Sequence, residues 1–133
     1  MSRNNLYSLA RVGNLLILRA AVTGTEGRTV VLRLLVDTGA SHTLVPVEAV
    51  ERVGCDTHHP QRMLRIMAAS GVIIAPVVTL ARFHFVGKII EGFPVVAHTL
   101  PSGTYVDGLL GMDFLSQIGA VLDLGAGTLE TGK

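Results

Sequence analysis

Apolar positions in this chain come in short runs closed by glycine-rich punctuation, and few of them fall at helical spacing. Residues 15–23 and 29–36 are rich in Leu, Ile and Val and flank Gly24-Thr25-Glu26-Gly27, the composition of a hairpin turn. Both runs are apolar at nearly every position, the pattern of strands buried on two faces. Residues 63–68 and 72–80 predict a second hairpin around Ala69-Ser70-Gly71. Pro76 marks an edge or a bulge there, because proline brings no N–H to a ladder. Residues 82–86 and 88–96 form a third pair about Gly87, 105–110 a further strand, and 120–124 with 128–130 a closing hairpin around Gly125-Ala126-Gly127. Helical signals are sparse. Pro46 and Gly54 bracket Val47, Ala49, Val50 and Val53 as the start and stop of a short helix within 44–53, and Gly119 stops two helical turns over 111–118. His58-His59-Pro60-Gln61 reads as loop. Closely spaced short strands predict a mostly-β, barrel-like single domain over 14–133, led by a polar, flexible segment over 1–13.

Composition narrows the function classes. A chain of 133 residues holds one domain, and 49% hydrophobic against 16% charged residues is apolar enough for a buried subunit interface. Net charge is +1 with scattered basic residues, and Trp is absent, so neither a phosphate-tracking surface nor a base-stacking platform is expected. No nucleic-acid partner follows from such a pattern. Cys55 is the only cysteine, which excludes an internal disulfide and a cysteine metal site and favours a reducing, cytoplasmic compartment. The apolar stretch 15–18 ends at Arg19, too short for a membrane span and without a small-residue cleavage site. An anchor on a longer parent would leave no trace in these residues. His42, His58, His59, His84 and His98 lack metal-ligand spacing, and neither a Walker loop nor Gly-x-Gly-x-x-Gly is present. Neither metal nor cofactor is expected. Ser41-His42 suggests no serine hydrolase, since adjacent residues cannot form that triad and no Gly-x-Ser-x-Gly occurs.

Chemistry concentrates in Asp37-Thr38-Gly39-Ala40, which follows the apolar run 30–36 and occurs once. A strand ending in an acid, a hydroxyl and a glycine presents a carboxylate on a tight turn. Gly39 removes the Cβ that would block a sharp turn and a close-lying substrate strand. Ala40 keeps the floor beside it shallow. The Thr38 hydroxyl is placed to bond across a two-fold axis to a second copy of the turn. Two-carboxylate hydrolysis needs a second acid, and a C₂ homodimer is the simplest geometry that sets Asp37 against its own counterpart. Taken alone, the tripeptide reads more readily as an Asx turn at a strand end.

The longer context is more specific. Leu35-Val36-Asp37-Thr38-Gly39-Ala40-Ser41 is followed about seventy residues later by Val106-Asp107-Gly108-Leu109-Leu110-Gly111-Met112-Asp113-Phe114-Leu115. With these two segments the chain resembles the retropepsin-like aspartic proteases, and the likeness runs from about residue 15 to 129. The resemblance implies a closed acid-protease barrel in which Leu109-Leu110-Gly111 runs behind the catalytic turn and leads into one short C-terminal helix. It also implies a hairpin flap over the substrate, with Ala69, Ser70 and Gly71 at its tip. Retroviral members pair an Arg after the second-motif glycine with an Asp shortly after Asp-Thr-Gly-Ala. Here Met112 and Ser41-His42 stand in those places, which points to a cellular rather than a viral branch.

The activity implied is that of an aspartic endopeptidase acting as a homodimer on a peptide or protein substrate. Two carboxyls within hydrogen-bond reach cannot both ionise, so they hold one proton in common, the behaviour known from aspartic-protease dyads. One oxygen then takes a proton from water while another gives one to the scissile carbonyl. In this reading Asp37 is catalytic, Thr38 and Gly39 brace the site, and Ala40, Ile66, Ala69, Ser70, Gly71 and Leu109 contact the substrate. Val36, Ile73 and Ile74 add to the apolar lining. Asp107 and Asp113 read as structural, one a turn residue and the other an acid near a helix N-terminus. The rival expectation is a non-catalytic peptide-binding or dimerisation module with the same fold.

Overall fold

In chain order the elements are β1 (Leu6–Ser8), β2 (Ala10–Val12), β3 (Leu15–Thr23), β4 (Thr29–Val36), β5 (Leu44–Val45), α1 (Val47–Arg52) and β6 (Arg62–Ala68). They continue with β7 (Gly71–Phe85), β8 (Lys88–Ala97), β9 (Gly108–Leu110), α2 (Met112–Gln117), β10 (Val121–Asp123) and β11 (Thr128–Glu130). The computed structural model describes residues 5–68, 71–85 and 87–132. Strands β3, β4, β9, β5, β8 and β7 are successive neighbours, and β7 pairs back onto β3, which closes a six-stranded barrel. Closure gives each of those strands a neighbour on both sides over part of its length. β2 and β6 extend the barrel, while β1, β11 and β10 form a separate three-stranded sheet. Most ladders are antiparallel, but β4–β9 and β5–β8 are parallel. No helix among the described residues is long and apolar enough to cross a membrane.

Alternation along the strands builds the core. Val22, Leu34, Val45, Leu80, Phe83, Leu110 and Phe114 are fully buried inside the barrel. Phe114 carries α2 onto this core, with its ring 4.9 Å from that of Phe83 and 5.9 Å from that of Phe93. Such edge-on aromatic contacts add to the burial of large apolar surfaces and seat the helix behind β9. Fully burying one such side chain contributes roughly 1.5–3 kcal/mol.

Several local expectations needed correction. β7 is one unbroken strand over the residues read as two, because it changes partner along its length. Its first part pairs with β6 and its second with β8, and residues 82–84 also pair with β3. Pro76 pairs with Met63 on β6, while the β8 ladder starts only at Val77, so proline lies where one side is an edge. The lead segment is not loose over residues 6–12. β1 pairs with β11 and β2 with β3, and this stretch carries Leu6, Tyr7, Leu9 and Val12, with the Tyr7 ring 5.5 Å from that of Phe85. The strand expected at 105–110 begins only at Gly108. Before it, the Asp107 carboxylate accepts the Arg33 N–H (2.8 Å) and the Asp107 N–H donates to the Arg33 carbonyl (2.8 Å). β4 is buried on one face rather than two, with Leu32 and Leu34 inside and Val31 61% exposed.

Candidate active site

The parallel β4–β9 ladder delivers Asp37. Its N–H donates to the Leu110 carbonyl at 3.0 Å, the last rung before the chain turns. The turn is then closed twice by Asp37 itself: Oδ1 accepts the Gly39 N–H at 2.9 Å, and the main-chain carbonyl accepts that of Ala40 at 3.2 Å. A Cβ on Gly39 would sit 3.2 Å from Oδ1, so glycine permits this approach. One carboxylate oxygen is thereby anchored, and Oδ2 has no partner among the described residues. The carboxyl is half-buried and the Thr38 side chain exposed.

The chain after this turn is clamped to the second motif. The Thr43 hydroxyl donates to Asp113 Oδ1 at 2.7 Å, and the Thr43 N–H donates to Oδ2 at 2.9 Å. The same hydroxyl accepts the Gly111 N–H at 3.1 Å, and Met112 N–H donates to the Ala40 carbonyl at 2.8 Å. Both glycines of the second motif are demanded by proximity. A Cβ on Gly108 would lie 2.1 Å from the Leu44 carbonyl oxygen, and one on Gly111 would lie 2.6 Å from the His42 carbonyl. Thr43 and Asp113 therefore tie the chain after the Asp37 turn to the second motif. Asp113 also accepts the Phe114 N–H at 2.7 Å, so its expected helix role is real but incomplete.

A cleft of about 970 Å³ opens beside Asp37. Asp37, Gly39, Ala40 and Leu109 line it together with Ile66 and Ile73 of the β6–β7 hairpin. Ser41, His42, Leu44 and Arg65 line it as well, and His98, Thr99, Leu100 and Pro101 complete the wall. That last segment carried no signal in the sequence. It is held by the His98 N–H donating to the Val45 carbonyl (2.9 Å) and by the Thr99 hydroxyl accepting the Val47 N–H (3.2 Å). Of the residues singled out beforehand, Thr38 flanks the cleft without lining it, and Gly71 is exposed at the end of β7, with φ +127°. Ala69 and Ser70 lie outside the described residues. Val36 packs against the core and Ile74 is 61% exposed, so neither lines the cleft. Among the described residues Asp37 is the only acid in the lining, and no cluster of His, Cys, Asp or Glu could hold a metal ion.

The sequence profile of the family described as Aspartyl protease matches residues 20–114, a span that holds the Asp37 turn, the hairpin and the Gly108–Leu110 strand. The chain belongs to the aspartyl protease family. Among solved structures, this aspartyl protease domain superposes on a retropepsin-like aspartic protease from Rickettsia conorii with a TM-score of 0.68 at 23% identity, over 93% of this chain and 87% of that one. It also superposes on EIAV protease complexed with the inhibitor HBY-793, with a TM-score of 0.61 at 18% identity over 86% and 97% of the two chains. No curated protein sequence matched. At these identities the two structures establish the fold, which is the retropepsin-like barrel with its short C-terminal helix.

Proposed function

We propose that this chain is an aspartic endopeptidase whose active form is a symmetric homodimer. The reading rests above all on the cleft's single acid: Asp37 is held on a rigid turn with one oxygen free, and no second carboxylate among the described residues lines the cleft. The second acid then comes from the Asp37 turn of another copy. Two such groups across a two-fold axis share a proton, because the first negative charge strongly disfavours the next. The ionised carboxyl takes a proton from the attacking water as the protonated one polarises the peptide carbonyl. Thr38, exposed beside Asp37, is available to bridge the two turns. The substrate lies extended between the turns and the β6–β7 hairpins, with Gly39, Ala40 and Gly71 close to its main chain. Ile66, Ile73, Leu44, Leu100 and Leu109 favour apolar side chains near the cut.

The test is hydrolysis of a peptide library rich in apolar residues. Asp37→Ala removes cleavage and leaves the fold intact, and wild-type activity per chain falls on dilution as dimers separate. Cleavage by a clean Asp37→Ala preparation, or a fully active monomer, overturns the reading.

A further inference from the structure

On the outer face of the barrel, away from the cleft, the register sets like charges against each other. Arg19 of β3 lies directly opposite Arg33 of β4, and both side chains are exposed. Directly opposed residues of an antiparallel pair share one face with Cβ atoms about 5 Å apart, where like charges destabilise. No carboxylate relieves them: the ion pairs among the described residues are Arg28–Glu26 and His59–Asp56. The nearest acid by bonding, Asp107, spends its carboxylate on the Arg33 main-chain N–H. A concavity of about 500 Å³ beside the two arginines is lined also by Ser8, Ala10, Ile17 and Phe85.

The next row of the same face is apolar except for His84. Val31, Ala21, His84 and Ile89 stand in sequence across β4, β3, β7 and β8, and Val31 and Ile89 are 61% and 57% exposed. One step further, Arg82 stands opposite Glu91, so that row sets unlike charges against each other. The surface thus carries two guanidinium forks with no ion-pair partner among the described residues, then about 7 Å along the strands an open, mostly apolar row. We infer that this face binds an acidic, apolar-flanked segment of a partner protein, with its carboxylate between Arg19 and Arg33 and its neighbouring apolar side chains spread along the row from Val31 to Ile89. Arginine forks match carboxylates in paired hydrogen bonds. The apolar row favours a protein segment over a polyanion such as nucleic acid, which would need a continued basic stripe.

The experiment uses the full chain carrying Asp37→Asn, so that no peptide is cut and the result is independent of the proposed proteolysis. The probe is a fluorescein-labelled octapeptide alternating Glu and Leu, compared with Glu–Ser and Lys–Leu alternations and with inorganic phosphate. The Glu–Leu peptide is expected to bind, and Arg19→Gln with Arg33→Gln to weaken it by about tenfold or more. Arg28→Gln, off this face, leaves binding unchanged. Thermal melting supplies a second readout: removing the opposed charges leaves the double variant at least as stable as its parent. Equal affinity in the double variant overturns the proposal, as does a lower melting temperature, which would make the arginines structural. Equal binding of the Glu–Ser peptide or of phosphate overturns it too, because the apolar row would then take no part.

Discussion

Thr43 is gripped by both oxygens of Asp113, through its hydroxyl at 2.7 Å and its N–H at 2.9 Å, although the two residues are 70 positions apart. Thr43 is fully buried and Asp113 half-buried, so the contact between the Asp37 turn and α2 is shut off from water on its threonine side. Removing Asp113 leaves the buried Thr43 hydroxyl and N–H without that acceptor, which is the expensive way to lose such a contact. Asp113→Ala is expected to cost about 2–4 kcal/mol in denaturant unfolding, and Thr43→Val about 1–3 kcal/mol. The double variant should lose less than the sum, a coupling that a double-mutant cycle reads directly. Additive losses would show that the two residues act apart.

Gly108→Ala and Gly111→Ala should each destabilise the protein by about 3 kcal/mol or more, since the added Cβ meets backbone that cannot move aside. Gly125→Ala is the matched control: the nearest atom to its Cβ is Asp123 Oδ1, at an ordinary 3.6 Å. That variant should stay within about 0.5 kcal/mol of wild type in thermal or denaturant unfolding. Equal behaviour of all three would remove close approach as the reason for the second-motif glycines.

Mixing chains tests whether each active site takes one acid from each copy. With wild-type chain held fixed above the concentration that saturates its dimer, an equal amount of Asp37→Asn chain should reduce activity to about half by random assortment. A ninefold excess should reduce it to about a tenth. Activity that ignores the added variant would mean that a site is complete within one chain.

Asp56 supplies a pH dependence far from the cleft. The His59 side-chain hydrogen bond, then the His58 N–H, hold its carboxyl below the ordinary aspartate value. A carboxyl lowered on folding stabilises the protein above its unfolded value, and that contribution disappears as pH falls through the folded one. Asp56→Asn should therefore melt slightly below wild type near pH 6, and the gap should close at pH values under the ordinary aspartate range. The group is solvent-exposed, so the difference is small. A gap that widens on acidification would reverse the assignment.

Elements with strong local punctuation were legible before any coordinates. The β3–β4 hairpin matches the residues predicted from Gly24-Thr25-Glu26-Gly27, α1 falls between Pro46 and Gly54, and α2 ends before Gly119. A strand as short as Leu6–Ser8 was not legible, because three residues show little alternation and their partner lies at the other end of the chain. Pro76 shows the intermediate case. Its edge position was readable, but not that the strand runs on past it to Phe85. For the cleft, Asp37, Gly39, Ala40, Ile66 and Leu109 were identified together, whereas His98, Thr99, Leu100 and Pro101 were not.

What local order dictates here is periodicity, turns and one reactive tetrapeptide, since backbone preference and side-chain alternation act over a few residues. Which distant groups meet is a different matter. That Asp113 meets Thr43 follows from how α2 packs behind the Asp37 turn, whereas the closure of β7 on β3 and the confrontation of Arg19 with Arg33 follow from register across the sheet. Register is settled only when whole faces pack at once, because sliding a strand by one residue sends every side chain to the opposite side.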